Sequence, residues 1–145
     1  MGWWSATVMG GDAPLDCQGD LIEILGIDFD ESLKMENRGI TRQLIEKNLK
    51  KIKKWLAGMK EDREIAYQVV AFHVLATGAD VGKRLLKQLI DNAQDPEVES
   101  WCDPDERRFY MDDLKKALQG HKPGKVTKLK QEGLFQKIFE KAGGA

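Results

Sequence analysis

Three aspartates spaced four residues apart, Asp12, Asp16 and Asp20, are the first residues that could do chemistry. On a helix, a spacing of four places side chains on one face. Carboxylates on one face could hold Mg²⁺ or Ca²⁺, or could serve a hydrolase as general acid and base. The structural alternative is that Asp12 caps a helix and that Asp16 interacts with its positive N-terminal end. Because no matching carboxylate motif occurs elsewhere, we expect no metal site, and these three are the candidates if there is one.

A second set of side chains could bind phosphate groups. Four lysines and an indole on a predicted helix form this set, and they are Lys47, Lys50, Lys51, Lys54 and Trp55. Lysines along one face contact nucleic-acid phosphates, and an interleaved tryptophan can stack on a base. The basic loop at 121–130 would extend such a surface. The net charge of −1 and the lack of clustered arginine for base reading argue against nucleic acid, and a solvated helix face is the structural alternative.

Cysteine and histidine offer little further chemistry. Cys17 and Cys102 lack the close pairing of a cysteine zinc site, so we expect two free thiols. His73 lies in a long apolar run, which favours a hydrogen-bonded core residue over a ligand, and no motif pairs it or His121 with a cysteine. Phosphate-binding, dinucleotide-binding, serine-hydrolase and zinc-protease motifs are absent from the sequence. We therefore expect no cofactor, and the sequence favours a non-enzymatic protein.

The small net charge hides blocks of alternating sign. Residues 1–33 carry seven acids and no base, whereas residues 34–63 carry ten bases and four acids. Residues 91–113 carry nine acids and two arginines, and residues 114–145 carry eight lysines and two acids. Such blocks are typical either of segments that lie against each other or of a surface with separate acidic and basic patches. Solvated helix faces are the simpler interpretation.

The elements that must position these side chains are separated by glycine and proline. Six helices are predicted: from Asp12 to Gly26, from about Thr41 to Gly58, over 64–77, from Asp80 to about Ala93, from Asp103 to Gly120, and over about 133–142. The third is apolar on almost every side, which indicates a buried central helix. The short link that follows it predicts that the third and fourth helices pair. The predicted fold class is all-α, a compact helical bundle around the helix at 64–77.

Local signals add detail to this outline. Asp12 is predicted to cap the first helix, and Asp103 is predicted to cap the fifth with Pro104 in its first position. The apolar line of that helix is predicted to consist of Leu15, Ile22 and Leu25. Segments 4–9 and 125–129 could each be extended and could pair as a minor two-stranded element.

The length and composition bound the class of protein. At 145 residues with 41% hydrophobic side chains, the chain is expected to form a single helical domain over 1–145. No apolar run approaches the length needed to cross a bilayer, and the first residues lack the basic region of a signal peptide. We expect a cytoplasmic protein without a membrane partner.

Two tryptophans near the start, Trp3 and Trp4, precede a Gly10-Gly11 break. An indole buries a large area when it packs, so both are predicted to hold the start of the chain against the third helix. The alternative is that one of them is exposed and binds a partner, since tryptophan is enriched among residues that dominate binding energy.

The opening resembles that of small uncharacterised bacterial and bacteriophage proteins. The residues that carry the resemblance are Trp3, Trp4, Met9, Gly10, Gly11, Asp12, Pro14, Leu15, Asp16 and Asp20. In those proteins a Gly-Trp segment leads through a Gly/Asp turn into a helix. The resemblance implies a bacterial or phage cytoplasmic protein, and it implies no particular activity.

Three functions follow from these residues. The first is a protein-interaction module, phage-encoded and regulatory, that binds an unidentified protein partner. The second is a nucleic-acid-binding protein that uses the Lys-rich helix at 47–54 and the loop at 121–130. The third is a carboxylate-metal-dependent hydrolase that uses Asp12, Asp16 and Asp20.

Overall fold

The computed structural model describes residues 5–129, so Trp3, Trp4 and the predicted helix at 133–142 lie outside the described residues. Within 5–129 there are seven α-helices: α1 (Asp12–Ile24), α2 (Phe29–Ser32), α3 (Arg42–Lys47), α4 (Leu49–Gly58), α5 (Arg63–Thr77), α6 (Gly82–Asp91) and α7 (Pro104–Gln119). Two short 3₁₀ helices lie at Glu36–Gly39 and Val98–Ser100. The predicted all-α class is confirmed. None of the helices in this part of the chain combines the length and the apolar character that crossing a membrane requires.

The central helix is α5, as its sequence predicts. Nine of its 15 side chains are buried, and α1, α3, α4, α6 and α7 all pack against it. It ends at Gly78, which has a φ of +74°. A Cβ at Gly78 would lie 3.0 Å from the carbonyl carbon of Gly124. Glycine is therefore required there both by the left-handed backbone and by the close approach of the chain.

The helices after α5 lie close to the positions that the sequence predicts. Leu85 and Leu89 of α6 are buried. The next helix, α7, begins as predicted: the Asp103 side chain accepts a hydrogen bond from the backbone N–H of Glu106 at 3.0 Å, and Pro104 takes the first position. The apolar line of α7 is buried and consists of Tyr110, Met111, Leu114 and Leu118.

The predicted apolar line of α1 is confirmed at Ile22 and Leu25, which are buried, and is wrong at Leu15. Leu15 is 41% exposed, whereas Cys17, Gln18 and Leu21 face inward. The inward face includes Gln18, which forms a buried hydrogen bond to His73 of α5, and Leu15 lies at the edge of that face. Asp12 is not the cap either. Gly11 occupies that position in extended backbone, and no side chain bonds to the first turn.

The helix predicted from about Thr41 to Gly58 is divided into α3 and α4 at Asn48. The helix begins near Thr41 as predicted, and the Thr41 hydroxyl caps α3 by accepting from the N–H of Leu44 at 3.2 Å. The side-chain amide of Asn48 donates to the carbonyl of Leu44 at 2.8 Å. Asparagine competes with the backbone for such carbonyls, which explains why the regular helix stops and restarts there.

No strand is formed within residues 5–129, and the predicted pairing of 4–9 with 125–129 is not found there. Residues 5–10 form a turn, in which the N–H of Ser5 donates to the carbonyl of Gly10 at 3.2 Å. The segment after α7 lies along the end of α5 instead. The N–H of Thr127 donates to the carbonyl of Leu75 at 2.7 Å.

Candidate functional site

Four large apolar side chains of α1, α2 and the residues after α2 are exposed, and we call them the apolar surface. They are Leu15 (41% exposed), Phe29 (53%), Leu33 (60%) and Met35 (48%). Phe29 lies over α1, since a Cβ at Gly19 would be 3.8 Å from its ring. Leu15 is one helical turn before Gly19, and Leu33 is one turn after Phe29. Leu15, Phe29 and Leu33 therefore lie on neighbouring turns of α1 and α2, and Met35 follows Leu33 by two residues.

Carboxylates border the apolar surface. Asp16 of α1 and Asp28, Asp30 and Glu31 at the start of α2 are all exposed. Asp28 also caps α2 by accepting from the N–H of Glu31 at 3.0 Å. An apolar centre with a charged rim is the usual composition of a protein-interaction surface.

Arg38 holds α2 in place beneath this surface. Its guanidinium lies 5.0 Å from the centre of the Phe29 ring and donates to the Ser32 hydroxyl at 3.1 and 3.3 Å. It also donates to the side-chain carbonyl of Gln18 at 3.1 Å. Asn37 and Arg38 both have left-handed backbone, with φ of 52° and 57°. That strained conformation persists because these contacts fix it.

The same network continues to a buried histidine of α5. The side-chain amide of Gln18 donates to Nε2 of His73 at 2.9 Å, so this nitrogen is unprotonated. His73 is fully buried. Burial, assisted by the charge of Arg38, lowers the pKa of His73 to about 3. The prediction of a hydrogen-bonded core histidine is confirmed, and Arg38 and Gln18 connect it to the exposed ring of Phe29.

The predicted phosphate-binding lysines lie on the surface of α3 and α4. Lys47, Lys50, Lys51 and Lys54 are all exposed, and we call these four residues the basic surface. Trp55 is half-buried and packs against the core, so its ring is only partly available for stacking.

The basic loop after α7 approaches the start of α3. A Cβ at Gly124 would be 3.4 Å from the guanidinium of Arg42, and Lys122, Lys125 and Lys128 on either side of Gly124 are exposed. The structure therefore brings the loop at 121–129 next to the helix that leads into the basic surface.

The aspartate row does not form a metal site in the described part of the chain. Asp12, Asp16 and Asp20 are exposed, and no group of three or more His, Cys, Asp or Glu side chains within 5–129 is placed to hold a metal ion. Asp20 instead lines an open groove of about 550 Å³ with Lys51 and Trp55 of α4. Partial burial, then the neighbouring Glu23 and Asp16, raises the pKa of Asp20.

Sequence reasoning missed Arg107, which is only 1% exposed. Its Nε donates to Asp95 at 3.0 Å, and one terminal nitrogen donates to the carbonyls of Ala6 and Thr7, both at 3.1 Å. The guanidinium also lies 4.5 Å from the centre of the Trp101 ring. Its position three residues before Tyr110, on the apolar line of α7, is the signal that could have indicated its burial.

Comparisons with models of known protein families, with curated proteins and with solved structures found no match. The resemblance of the opening to bacterial and phage proteins stays a prediction. The arrangement of side chains described above is therefore the basis for a functional proposal.

Proposed function

We propose that this protein is a non-enzymatic interaction module that binds a protein partner through the apolar surface. The observation that carries the proposal is the exposure of Leu15, Phe29, Leu33 and Met35, each 41–60% exposed, in a short stretch of chain where α2 lies over α1. Exposed apolar groups that adjoin one another favour association, because burying them releases about 25 cal/mol per Å².

The contacts that Arg38 makes beneath the apolar surface favour a binding site that is ordered before the partner binds. Arg38 fixes the position of Phe29 and Ser32 through the ring contact and two hydrogen bonds. A surface that is already ordered loses less conformational entropy when a partner binds. Phe29 is also the kind of aromatic residue that is enriched at interface centres.

We further propose a bacterial or bacteriophage origin, a regulatory role and a cytoplasmic location. The opening residues support the origin through the resemblance described above. Cys17 and Cys102 are both free thiols, which is compatible with a reducing compartment.

The test compares variants in affinity capture from the native cells. The double variant Phe29→Ser/Leu33→Ser is expected to lose at least tenfold of the specifically captured partner, measured by quantitative mass spectrometry. Phe109→Ser is the matched control, because Phe109 is a phenylalanine of similar exposure, 49%, on α7. Equal capture by the double variant and the wild type would contradict the proposal, provided that both variants melt at similar temperatures.

Nucleic-acid binding is the second candidate, and the position of the loop at 121–129 favours it. This loop approaches Arg42 at the start of α3, the helix that ends at Lys47, so basic residues far apart in sequence lie near each other. Neighbouring lysines can contact successive phosphates and release their counterions.

A further inference from the structure

The apolar surface has an acidic border that salt bridges do not neutralise. Residues 28–36 carry four acids and one lysine, and Asp16 follows Leu15 on α1. Within 5–129, Asp16, Asp30 and Glu31 take part in no salt bridge. Because charges across an interface are arranged to be complementary, an occupant of this surface needs apolar side chains at its centre and positive charge at its edge.

The residues that follow the described chain have this composition. The helix predicted over about 133–142 carries four large apolar side chains at the spacing of one helical face, and they are Leu134, Phe135, Ile138 and Phe139. Lys137 and Lys141 come three positions after Leu134 and Ile138, so the pattern puts both lysines along one edge of that face. The one acid of the segment, Glu140, falls on the opposite face.

The end of the described chain lies within reach of the apolar surface. Thr127 is bonded to Leu75 near the end of α5, and α1 packs against α5. Phe29 in turn lies over Gly19 of α1. The seven positions from Thr127 to Leu134 span up to about 24 Å when extended, which exceeds the diameter of one helix, about 10–12 Å. Leu134 can therefore reach α2 across α1.

We propose that residues 133–142 of the same chain occupy the apolar surface, with Lys137 and Lys141 against its acidic border. A short tether holds such a segment at an effective concentration of about millimolar, so a weak contact suffices within one chain, whereas a second copy needs a higher affinity. The contact builds on the proposed function, because the segment and the protein partner compete for the same surface. The partner binds only by displacing residues 133–142.

A spin label on this segment tests the contact in the full chain. Cys102→Ser removes the exposed thiol, Cys17 is buried, and Gln136→Cys carries a nitroxide outside the predicted apolar face. In ¹⁵N–¹H NMR, the backbone amide peaks of Phe29 and Leu33 are expected to lose at least half of their height and to regain it when the nitroxide is reduced. The peaks of α6 should change little. Undiminished peaks of α2, or equal loss across the whole molecule, would overturn the proposal.

Mixed samples show whether the segment and the surface belong to one chain. A ¹⁵N-labelled chain without nitroxide is mixed with an unlabelled chain that carries it, so only contact between chains can broaden the observed peaks. The peaks of Phe29 and Leu33 are expected to keep their height in the mixture. Broadening as strong as that in the spin-labelled chain would show that the occupant is a second copy, and the contact within one chain would be wrong.

Matched variants of the spin-labelled chain test the apolar part of the contact. Phe29→Ser/Leu33→Ser is expected to reduce the broadening of the Leu15 and Met35 amide peaks at least twofold. Phe109→Ser on α7 removes an apolar ring of similar exposure and should leave the broadening unchanged. If the double variant leaves it unchanged as well, the segment does not bind through the apolar surface.

Lysine variants test the charged edge in the same way. Lys137→Glu/Lys141→Glu is expected to reduce the broadening of the Phe29 and Leu33 peaks at least twofold. Lys83→Glu/Lys87→Glu on α6 makes the same change of charge on two exposed lysines and should have little effect. Equal effects of the two pairs would show general attraction and would overturn the assigned contact with the acidic border.

The two proposals for the apolar surface fail in different ways. If the nitroxide leaves the peaks of α2 unchanged, residues 133–142 do not dock there, and affinity capture with Phe29→Ser/Leu33→Ser still decides whether a partner does. If the peaks are broadened but that variant captures as much partner as the wild type, the surface serves its own chain and the proposed function is wrong.

Discussion

Gln18 of α1 forms a buried hydrogen bond to His73 of α5. Its amide donates to His73 and accepts from Arg38, so one side chain satisfies two partners that lie 55 and 20 residues away. Both ends of such a network must be present, because a buried polar group left without its partner costs about 1–3 kcal/mol. The exposed ring of Phe29 is thus tied through Arg38 to the centre of the fold.

The lowered pKa of His73 predicts how stability depends on pH. The unfolded state takes up a proton near pH 6.5, whereas the folded state does so only near pH 3. Between these values the unfolded state binds more protons, so the free energy of unfolding falls as pH falls, by about 1.4 kcal/mol per unit. From pH 6.5 to 5, where carboxylates contribute little, the expected loss is about 2 kcal/mol, measured by urea denaturation.

The control for this prediction is His73→Asn, which removes the titrating ring. Its free energy of unfolding will be lower at every pH but is expected to change less between pH 6.5 and 5. A slope as steep as that of the wild type would show that another group is responsible.

Two adjacent arginines of α7 provide a second prediction. Arg107→Met is expected to lower the free energy of unfolding by about 3–5 kcal/mol, because Asp95 and the carbonyls of Ala6 and Thr7 lose a buried donor. Arg108→Met is the matched control. Arg108 pairs with Glu99 and Asp105 on the surface and should contribute less than about 1 kcal/mol. Equal losses in chemical denaturation would contradict the assigned role of Arg107.

At the residue scale, the sequence predicted those features whose cause is local. Asp103 caps α7 because its carboxylate reaches the N–H of Glu106, three residues later. Gln18 and Arg107 were missed because their burial depends on partners 55 and about 100 residues away in the chain. The sequence alone shows polar side chains there, and polar side chains are mostly exposed.

At the scale of elements, α4 combines the basic surface with a face packed on α5. Ile52 and Leu56 are buried, whereas Lys50, Lys51 and Lys54 are exposed. Lys51 also lines the groove with Asp20 of α1, so the acidic and basic blocks of the sequence do meet at this point. Lys50 and Lys54 do not line that groove. The charges of α4 therefore agree with both interpretations of the charge pattern, segments that lie against each other and a separate basic patch.

If the protein binds nucleic acid, which is the second candidate function, the lysines of the basic surface should supply the phosphate contacts. Lys50→Glu/Lys51→Glu/Lys54→Glu is expected to abolish binding of duplex DNA in a low-salt fluorescence anisotropy assay. For the wild type, the logarithm of the affinity should fall with the logarithm of salt, by a slope of about 0.9 for each phosphate contacted.

The control for this assay is Lys83→Glu/Lys87→Glu on α6, where both lysines are exposed and lie outside the basic surface. This variant should retain most of the affinity. Absence of wild-type binding at low salt would remove nucleic acid as a partner, and equal loss in the two variants would show attraction without a defined surface.

The elements themselves were predicted where the apolar pattern is long and unbroken. The run from Ile65 to Leu75 is apolar on nearly all sides, and such a helix can only be central. The short α2 was not predicted because four residues carry too little pattern, and its position depends on Arg38. The exposed apolar surface on α2 was missed for the same reason.

At the scale of the whole molecule, the start of the described chain is held by α7 and its end is held by α5. Arg107 of α7 binds the carbonyls of Ala6 and Thr7, and Val8 is buried in the core. The segment after α7 is bonded to the end of α5 through Gly124 and Thr127. Contacts between distant parts of the chain of this kind are fixed by packing, and the sequence pattern of a single helix does not contain them.

Two truncations distinguish the contribution of residues 5–8 to the free energy of unfolding from that of residues 1–4. Removing residues 1–8 should lower the free energy of unfolding by at least about 3 kcal/mol, because Arg107 loses two acceptors while buried and the core loses Val8. Removing only residues 1–4 leaves those contacts in place and tests Trp3 and Trp4 alone. If both indoles are core residues, as the sequence predicts, this shorter deletion should also destabilise the protein by a few kcal/mol in urea denaturation. A protein that keeps its stability without residues 1–4 but loses its captured partner would instead show that the tryptophans belong to the binding site, and the apolar surface would then be only part of it.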